Sequence, residues 1–583
     1  MGITTTPAAT LRDLQIPLVF GVTGHRDLEH ENLEKLEVSV RGKLEYFRRK
    51  YAHTPFILLS PLAEGADRLV ARVALEPQIG ARLIVPLPMR KDFYEEDFTS
   101  PGSLLEFLGL LDRADQSFVL PQGPEAQIPK KGAARDAQYR AVGEFIVRHC
   151  QNLIALWDGT GARGEGGTGE IVALQTEGIP APNANTLELP EAFPAIWVVT
   201  PHRKNETPKV PEGGALFDVV DMYPAAFRSD KKEAEDYYGR IFGRVDDFNK
   251  NVASRREALR GDIEESKSYL MSTARQRDLS SDERLALERY GMADALAIRF
   301  QKWTKRTQYA LHWFVFFTFF FFVFFAHPPS DSIETWVKPW IWLLPSGALL
   351  SLAGSLILVN RRLQFDINYQ DFRAVAEGLR VAFFWRLAGV KDYVPEHYLR
   401  SQRSELDWIR TGLRGWQIHP TDDQQQPGRL DDLKLILKHW VRDQRDYFRR
   451  KREQNEDKAR HNQWVIRSLI TFAVAMGVIL FVSALLDHKP SIRIELLLVE
   501  TLLAAGALWH NCNKLMAYEQ HAKQYGRMYD LFAYASKRIS DAVSKERVKE
   551  AQELLRELGK QALAENGDWV LIHRERPIEL LPP

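Results

Sequence analysis

The stretch Asn152–Leu174, NLIALWDGTGARGEGGTGEIVAL, begins as a short apolar run and ends in a pattern typical of a helix. Between these two parts, residues 161–169 contain five glycines. A buried strand, a glycine-rich turn and a helix in this order are typical of a parallel α/β sheet. Backbone N–H groups at such a turn, helped by the dipole of the following helix, favour an anion. We therefore expect an anion-binding turn formed by Gly166, Gly167, Thr168 and Gly169.

Five similar apolar runs lie elsewhere in the first two hundred residues: PLVFGVTG, FILLSP, RLIVPLP, SFVLPQ and AIWVVTP. Helical patterns lie between the runs, near Leu33–Tyr51, Gly65–Leu75, Leu104–Arg113, Asp136–Cys150 and Thr168–Gly178. Runs that are continuously apolar indicate strands buried on both faces. The fold class predicted here is α/β, with a Rossmann-like parallel sheet covered by helices.

Polar residues collect where the predicted strands end, in VTGHRDL after the first strand and SPLAEGADRL after the second. In parallel sheets, ligands bind beyond the carboxyl ends of the strands, where the strand order reverses. Neither a Walker lysine nor the dinucleotide fingerprint follows the glycines, which disfavours ordinary NTPases and dehydrogenases. The alternative is that the glycines only cap helices. The predicted ligand-binding residues of these two loops are Thr23, Gly24, His25, Arg26, Ser60, Glu64, Gly65 and Asp67.

The charge balance of the chain indicates which partners to exclude. The chain has 78 Lys and Arg against 77 Asp and Glu, so no global field would recruit a nucleic-acid polymer. Its two cysteines are far apart and no Cys/His cluster is present, so we expect neither a disulfide scaffold nor a metal site. A reducing compartment and no tightly bound cofactor are the simplest interpretation.

Four apolar segments suggest membrane spans: Tyr309–Ala326, Trp340–Val359, Ser468–Leu486 and Ile494–His510. A helix needs roughly 20 residues to cross the hydrocarbon core. The fourth segment carries Glu495 and Glu500 and is the weakest of the four. The alternative, buried core helices, is disfavoured because helices this uniformly apolar belong in lipid.

Short links join the four segments in pairs, which predicts an all-α membrane region with two helical hairpins. Lys and Arg flank the outer ends of the pairs, which predicts a multi-pass protein of the inner (cytoplasmic) membrane with both termini cytoplasmic. Small residues spaced by four let helices approach closely. Glu500 is a pore or gating residue, a hydrogen-bonding group of the bundle, or a sign that its segment is interfacial. The predicted bundle or pore residues are Gly347, Ser351, Ser355, Gly477 and Glu500.

Long charged helical stretches precede each pair of apolar segments, at Lys232–Gln308 and Asp431–Arg467. Similar helical patterns follow each pair and begin at Tyr369 and Tyr518, which suggests an internal duplication. Near the end of the chain, Val570–Arg576 alternates apolar and basic residues and predicts a short strand or extended arm.

The motifs VTGHRDL, SPLAEGADRLVARVAL and ALWDG…GGTGEIVAL resemble the SLOG superfamily, a Rossmann-like group that includes the lonely-guy nucleotide phosphoribohydrolases. The resemblance covers about residues 16–203. It implies a nucleotide-derived ligand, with phosphate on Gly166–Gly169 and a ribose or its glycosidic bond beside Glu170. It also places Gly24–Arg26 and Glu64, Gly65 and Asp67 beside the ligand.

The later part, with YQDFRAVAEGLR after a hairpin and ALAENGDWVLIHRERP near the end, resembles the SLATT group of membrane effectors over roughly 285–583. This resemblance implies an antiviral effector in bacteria that senses a nucleotide messenger and acts on the bilayer as a homo-oligomer. The predicted divisions are a SLOG-like domain (1–210), linker and long helices (211–307), a first hairpin (308–360), a helical segment (361–463), a second hairpin (464–511) and C-terminal helices with an extended tail (512–583).

Two alternatives stay open. The lonely-guy enzymes use an Arg and a Glu in a PGG-x-GT-x-x-E setting, whereas EGGTGE lacks the proline and places Glu170 three residues earlier. This shift favours a sensor over a membrane-anchored nucleotide or NAD glycosidase, whose candidate catalytic residues are Glu170, Arg163 and Asp158. The other alternative is a nucleotide-regulated channel of ordinary physiology.

Overall fold

The fold was obtained as a computed structural model. It describes residues 9–98, 100–121, 128, 131–161, 166–180, 190–202, 208–211, 213–227, 230–326, 339–399, 406–418, 429–486 and 492–574. The chain divides into two compact units. The first unit comprises Met1–Gly261, Leu279–Met292 and Lys391–Pro427, and the second comprises Asp262–Asp278, Ala293–Val390 and Gly428–Pro583.

The first unit contains a sheet of seven strands in the order β4-β3-β2-β1-β5-β6-β7. Strands β1 to β6 are parallel, and β7 pairs antiparallel with β6. This confirms the six strands predicted from the apolar runs and their parallel arrangement. The strand β7 was not predicted; it is four residues long and only half-buried, so it lacks the apolar run that marks the others. The strands are Leu18–Gly24 (β1), Phe56–Leu59 (β2), Arg82–Leu87 (β3), Gln116–Val119 (β4), Asn152–Trp157 (β5), Ala195–Val199 (β6) and Val219–Met222 (β7).

Helices cover the sheet and account for most of the rest of the described chain. The helices associated with the sheet are Leu11–Leu14 (α1), Leu33–Lys50 (α2), Ala66–Ala74 (α3), Lys91–Glu95 (α4), Pro101–Asp112 (α5), Ala133–His149 (α6) and Thr168–Glu177 (α7). Those that follow are Lys231–Arg255 (α8), Arg260–Leu270 (α9), Thr273–Gln276 (α10), Ser281–Ala326 (α11), Leu343–Leu363 (α12), Phe365–Ala388 (α13), Asp407–Trp416 (α14), Leu430–Ile436 (α15), Asp443–Leu485 (α16), Ile492–Met516 (α17), Tyr518–Ser544 (α18) and Val548–Arg574 (α19). A π-helical turn, Leu437–Arg442, joins α15 to α16.

Helix α14 is built into the first unit although it comes almost two hundred residues after the last strand of the sheet. A Cβ atom on Gly412 would lie 2.9 Å from Cδ1 of Ile16, so a larger residue there would displace the Ile16 side chain. The indole N–H of Trp416 donates to the carbonyl oxygen of Gln15 at 2.8 Å. Arg410 forms an ion pair with Glu191 at 3.0 Å. The first unit is therefore larger than the 1–210 domain expected from the sequence.

Three helical runs are long and apolar enough to cross a membrane: Ser281–Ala326, Leu343–Ala388 and Leu430–Leu485. Only 11%, 17% and 6% of their most apolar windows are buried, so protein atoms do not cover these surfaces. Such exposed apolar surface indicates a membrane protein. The fourth predicted span corresponds to a shorter apolar helix, Leu496–Asn511, within α17.

A single residue in the left-handed conformation follows each of two apolar helices. Gln364, with φ of 49°, separates α12 from α13, and Ala517, with φ of 50°, separates α17 from α18. Each is preceded four residues earlier by an asparagine whose carbonyl oxygen accepts its backbone N–H, at 2.7 Å for Asn360 and 3.2 Å for Asn513. The same kink in both halves supports the internal duplication.

The prediction of a strand or extended arm at Val570–Arg576 was wrong where the structure describes these residues. Helix α19 continues to Arg574. Leu563, Asn566 and Val570 are buried at helical spacing, so the burial pattern of this helix overrides the short alternation. Residues after Arg574 lie outside the described ranges.

Candidate functional site at the carboxyl ends of the strands

The strand order reverses between β1 and β5, so the loops that follow these two strands lie at one edge of the sheet. Gly24 at the end of β1 is in register with Leu156 of β5, and Thr23 with Ala155. The backbone N–H of His25 donates to the carbonyl oxygen of Leu156 at 3.1 Å. This is the position at which doubly wound sheets bind ligands.

His25 and Asp158 join the two loops directly. The backbone N–H of Asp158 donates to Nε2 of His25 at 3.0 Å, so the neutral ring carries its proton on Nδ1. The fully buried carboxylate of Asp158 accepts the backbone N–H of Thr160 at 3.0 Å and its hydroxyl at 2.7 Å. Asp158 therefore holds the turn after β5, and this role accounts for its position without a catalytic one.

Two glycines bring the end of β1 close to the start of α3. A Cβ atom on Gly24 would lie 2.4 Å from the Cβ atom of Ala66. Gly65 has φ of +77°, and a Cβ atom there would lie 2.4 Å from the carbonyl oxygens of His25 and Arg26. The backbone N–H of Ala66 donates to the carbonyl oxygen of His25 at 3.0 Å. Both glycines are thus needed for the approach of backbone to backbone.

The loop after β2 makes most of its polar contacts with protein groups. Asp67 is buried and accepts the backbone N–H of Ala63 at 3.2 Å. Burial raises the pKa of Asp67 to about 7, although the Ala63 N–H and nearby arginines lower it. The fully buried hydroxyl of Ser60 accepts the backbone N–H of Leu62 at 3.1 Å, and Glu64 accepts the hydroxyl of Ser103. This loop therefore forms part of the edge of the sheet at the strand ends. The carboxyl group of Asp67, which follows it, titrates near neutral pH.

The Arg26 side chain is exposed at this edge. Its guanidinium carbon lies 4.9 Å from the centre of the Tyr139 ring on α6, a cation–π contact that orients the charge. The His25 ring meets that of His202 edge-on at 4.7 Å, and Nε2 of His202 lies 3.3 Å from a carboxylate oxygen of Asp27. An exposed, oriented guanidinium suits a carboxylate or phosphate ligand.

The glycine turn meets α6 on the same side. The backbone N–H of Gly166 donates to Glu170 at 2.7 Å, and the other carboxylate oxygen lies 2.9 Å from Nε of Arg140. A Cβ atom on Gly166, which has φ of +74°, would lie 3.0 Å from the backbone nitrogen of Arg140. Helix α7 begins at Thr168, and within the described residues the backbone N–H groups of Thr168 and Gly169 make no hydrogen bond. The turn thus leaves two N–H groups available for a ligand, while the Glu170 carboxylate stabilises the turn through its hydrogen bond from Gly166.

The structure brings together many of the predicted site residues and leaves others apart. His25 contacts Asp158 across the switch point, and Gly65 contacts the His25–Arg26 backbone. Arg163 lies outside the described residues. In the apolar helices, Gly347, Ser351 and Ser355 are exposed, and the Ser351 hydroxyl donates to the carbonyl oxygen of Gly347 in its own helix. Gly477 and Glu500 are half-buried.

Sequence reasoning missed the contribution of α6, which supplies Tyr139 and Arg140 to the two loops. It also missed the polar cluster behind Tyr139, where Arg135 forms an ion pair with Asp97 at 2.9 Å. The spacing of Arg135 and Tyr139 by four residues places them on one helix face, and this was the available signal.

Comparison with protein-family models gives no match, and comparison with curated proteins gives no match.

Proposed function

We propose that the chain is a membrane-embedded effector whose α/β unit senses a nucleotide-derived messenger and gates or disrupts the bilayer. The observation that carries this proposal is the arrangement at the switch point, where Arg26 is exposed and the N–H groups of Thr168 and Gly169 open a helix. Together they suit a phosphate, because helix N-termini and guanidinium groups both favour anions. The resemblance to SLOG and SLATT proteins supports a role in bacterial antiviral defence.

The membrane part of the proposal has four spans in two hairpins, with both termini in the cytoplasm. In the first predicted hairpin, the hydroxyl of Ser346 donates to the carbonyl oxygen of Thr318 at 3.0 Å, which supports pairing of α11 with α12. Beside the second predicted hairpin, the side chains of Asn462 and Asn513 are hydrogen-bonded at 3.1 Å, which supports pairing of α16 with α17. Small residues on exposed faces, such as Gly347, are available for contacts with other copies in a homo-oligomer.

Helix α11 provides a continuous connection for such a mechanism. Its first residues, up to Met292, belong to the first unit, and its last residues form an apolar segment. A ligand can shift the membrane part only if it binds one state of the protein more tightly than another. The contact of Glu170 with Gly166 and Arg140 favours a sensor over a glycosidase, because a catalytic carboxylate must be able to reach the substrate.

The test uses the full chain in liposomes that contain a self-quenched dye, with ADP-ribose derivatives, cyclic oligonucleotides and nucleoside monophosphates added in turn. We expect one class to cause saturable dye release that Arg26→Gln weakens. Arg49→Gln is the matched control because Arg49 is exposed on α2 and only pairs with Glu45 of the same helix. Binding without any release, or equal release by both variants, would refute the proposal.

Two further measurements separate the alternatives. Incubation of the full chain with nucleoside monophosphates or NAD, followed by chromatography, detects a released base if the protein is a glycosidase. Induced expression together with the active messenger should arrest growth if the protein is an effector. A channel of ordinary physiology would release dye in liposomes and leave growth unchanged.

A further inference from the structure

The second unit contains an open cavity of about 800 Å³, and none of its lining residues belongs to the loops after β1, β2 and β5. It lies among α9, α11, α13, α16, α18 and α19, and its lining extends from Tyr309 and Met516 to Phe532 and Ala562. Cavities of roughly 300–1,000 Å³ are the size that small-molecule ligands occupy. The cavity is therefore large enough for a ligand and not merely a packing defect.

Lys302 and three further lysines that line this cavity, Lys305, Lys451 and Lys458, have no carboxylate partner among the described residues. The ammonium groups of Lys451 and Lys458 lie 5.7 Å and 5.6 Å from the centres of the Tyr447 and Tyr518 rings, respectively. All three lysines precede the apolar segments of their helices. Burial, and then the charge of Lys458, lowers the pKa of Lys451. The lysines therefore repel one another across the cavity.

Some other charges in the cavity wall are paired with one another, and Asp262, Glu265, Asp366 and Arg450 also line it. Arg373 forms ion pairs with Asp294 at 2.9 Å and with Glu377 at 2.7 Å. Arg380 also pairs with Glu377, at 3.0 Å. Burial, and then the neighbouring charge of Glu377, raises the pKa of Glu565 to about 8, so this lining carboxyl group adds little negative charge at neutral pH. The positive charge of the lysines is thus not cancelled by these groups.

Buried oxygen atoms in the cavity wall also lack partners. The hydroxyls of Ser266 and Thr304 and the amide oxygen of Gln370 have no hydrogen bond among the described residues. These three residues line the cavity, and they are only 3%, 6% and 6% exposed. An unpaired buried polar group costs about 1–3 kcal/mol. These oxygen atoms have almost no accessible surface, so the ammonium groups are the donors that face the cavity.

The cavity also reaches the start of the apolar surface. Tyr309, at its edge, begins the first apolar segment, and Lys305 lies one helical turn earlier, about 6 Å along the helix axis. Basic pockets at this depth bind the head groups of anionic lipids. The position therefore allows a ligand to enter from the membrane surface as well as from water.

We propose that this cavity binds a phosphate-bearing anion, either the head group of an anionic phospholipid or a soluble polyphosphate. The ammonium groups of Lys305, Lys451 and Lys458 would contact the phosphate oxygens. The negative charge of the ligand would attract the three ammonium groups and offset the repulsion between them. This site is separate from the strand-end edge and does not depend on the function proposed for it.

The test measures the thermal unfolding of the full chain in neutral detergent with two probes. One is inorganic pyrophosphate, and the other is a short-chain phosphatidic acid, with the matching phosphatidylcholine as its control. We expect at least one probe to raise the unfolding temperature in a saturable way. A response to pyrophosphate identifies a soluble anion as the source, and a response to phosphatidic acid alone identifies a lipid.

Variants locate the response. Lys305→Gln combined with Lys451→Gln should weaken the apparent affinity about tenfold or more, which is about 1.4 kcal/mol. Lys537→Gln combined with Lys549→Gln removes the same charge from exposed positions of α18 and α19 and should leave the affinity unchanged. Arg26→Gln shows whether a pyrophosphate response comes instead from the edge of the sheet, and weakening by Arg26→Gln without weakening by the cavity variant would overturn the proposal. Lys458→Gln provides a second, smaller perturbation of the cavity if the double variant does not fold. No response to either probe, or equal weakening by the cavity and control variants, would overturn the proposal.

Discussion

Replacement of Glu170 distinguishes a carboxylate that supports the glycine turn from one that performs chemistry. Glu170→Gln keeps an oxygen that can accept the Gly166 N–H, now as a neutral hydrogen bond. A hydrogen bond to a charged group is worth about 1.5–3 kcal/mol and a neutral one about 0.5–1.5 kcal/mol, so this change costs about 1 kcal/mol. The ion pair with Arg140 is partly exposed and adds about 0–1 kcal/mol.

Ligand affinity of Glu170→Gln should therefore fall by about thirtyfold at most, whereas Glu170→Ala, which also removes the hydrogen-bond acceptor, should fall further. Isothermal titration of the full chain with the messenger found in the liposome assay measures both. Glu144→Gln is the control because Glu144 also lies beside Arg140, at 3.5 Å, but does not contact the turn. Loss of a catalytic carboxylate lowers turnover by roughly 10²–10⁴-fold. Base release that Glu170→Gln abolishes while binding persists would refute this reasoning.

Three other substitutions test the first unit through its thermal unfolding. Gly65→Ala should lower the free energy of unfolding by about 3 kcal/mol or more, because the new Cβ atom meets two carbonyl oxygens. Gly80→Ala, at a residue with positive φ but without such contacts, should lower it by about 1–2 kcal/mol. Equal losses would contradict the close approach of the two backbone segments. Because the folded-state pKa of Asp67 is raised to about 7, its contribution to stability is lost as pH rises from about 4 to about 7. Asp67→Asn should therefore flatten the dependence of stability on pH over this range. An unchanged slope would show that Asp67 does not have a raised pKa. Burial would raise the pKa of Glu191, but Arg410 and Arg414 outweigh it and lower the pKa to about 2. Stability should therefore fall as pH drops from about 4.5 to about 2. Glu191→Gln should cost about 1.5–3 kcal/mol, because Arg414 loses its charged contact with Glu191 while Arg410 keeps its ion pair with Asp407 at 2.9 Å. A loss below about 1 kcal/mol would show that the arginines find other partners.

The sheet could be predicted from sequence because each strand from β1 to β6 is a short apolar run bounded by turn residues. The same patterns placed Gly24, His25 and Gly65 at strand ends, where they contact one another. Tyr139 and Arg140 could not be predicted as partners, because their roles depend on which helix packs beside the loops.

Long-range packing could also not be predicted from sequence patterns. Nothing in the periodicity of α14 indicates that Trp416 donates to the carbonyl oxygen of Gln15, four hundred residues earlier in the chain. The error at Val570 has a different cause. Over seven residues, an alternating pattern and a helical one overlap, and the longer run of buried positions in α19 decides between them.

The left-handed residues Gln364 and Ala517 have a mechanical consequence. A flexible loop between two helices absorbs movement, but a one-residue corner with hydrogen bonds on both sides does not. At each corner the backbone N–H four residues later, on Asn368 or His521, returns to the carbonyl oxygen of the corner residue, at 2.9 Å and 3.0 Å respectively. A movement of α12 or α17 is therefore passed on to α13 or α18 and is not absorbed between them. Each of these corners thus couples an apolar helix directly to the helix that follows it.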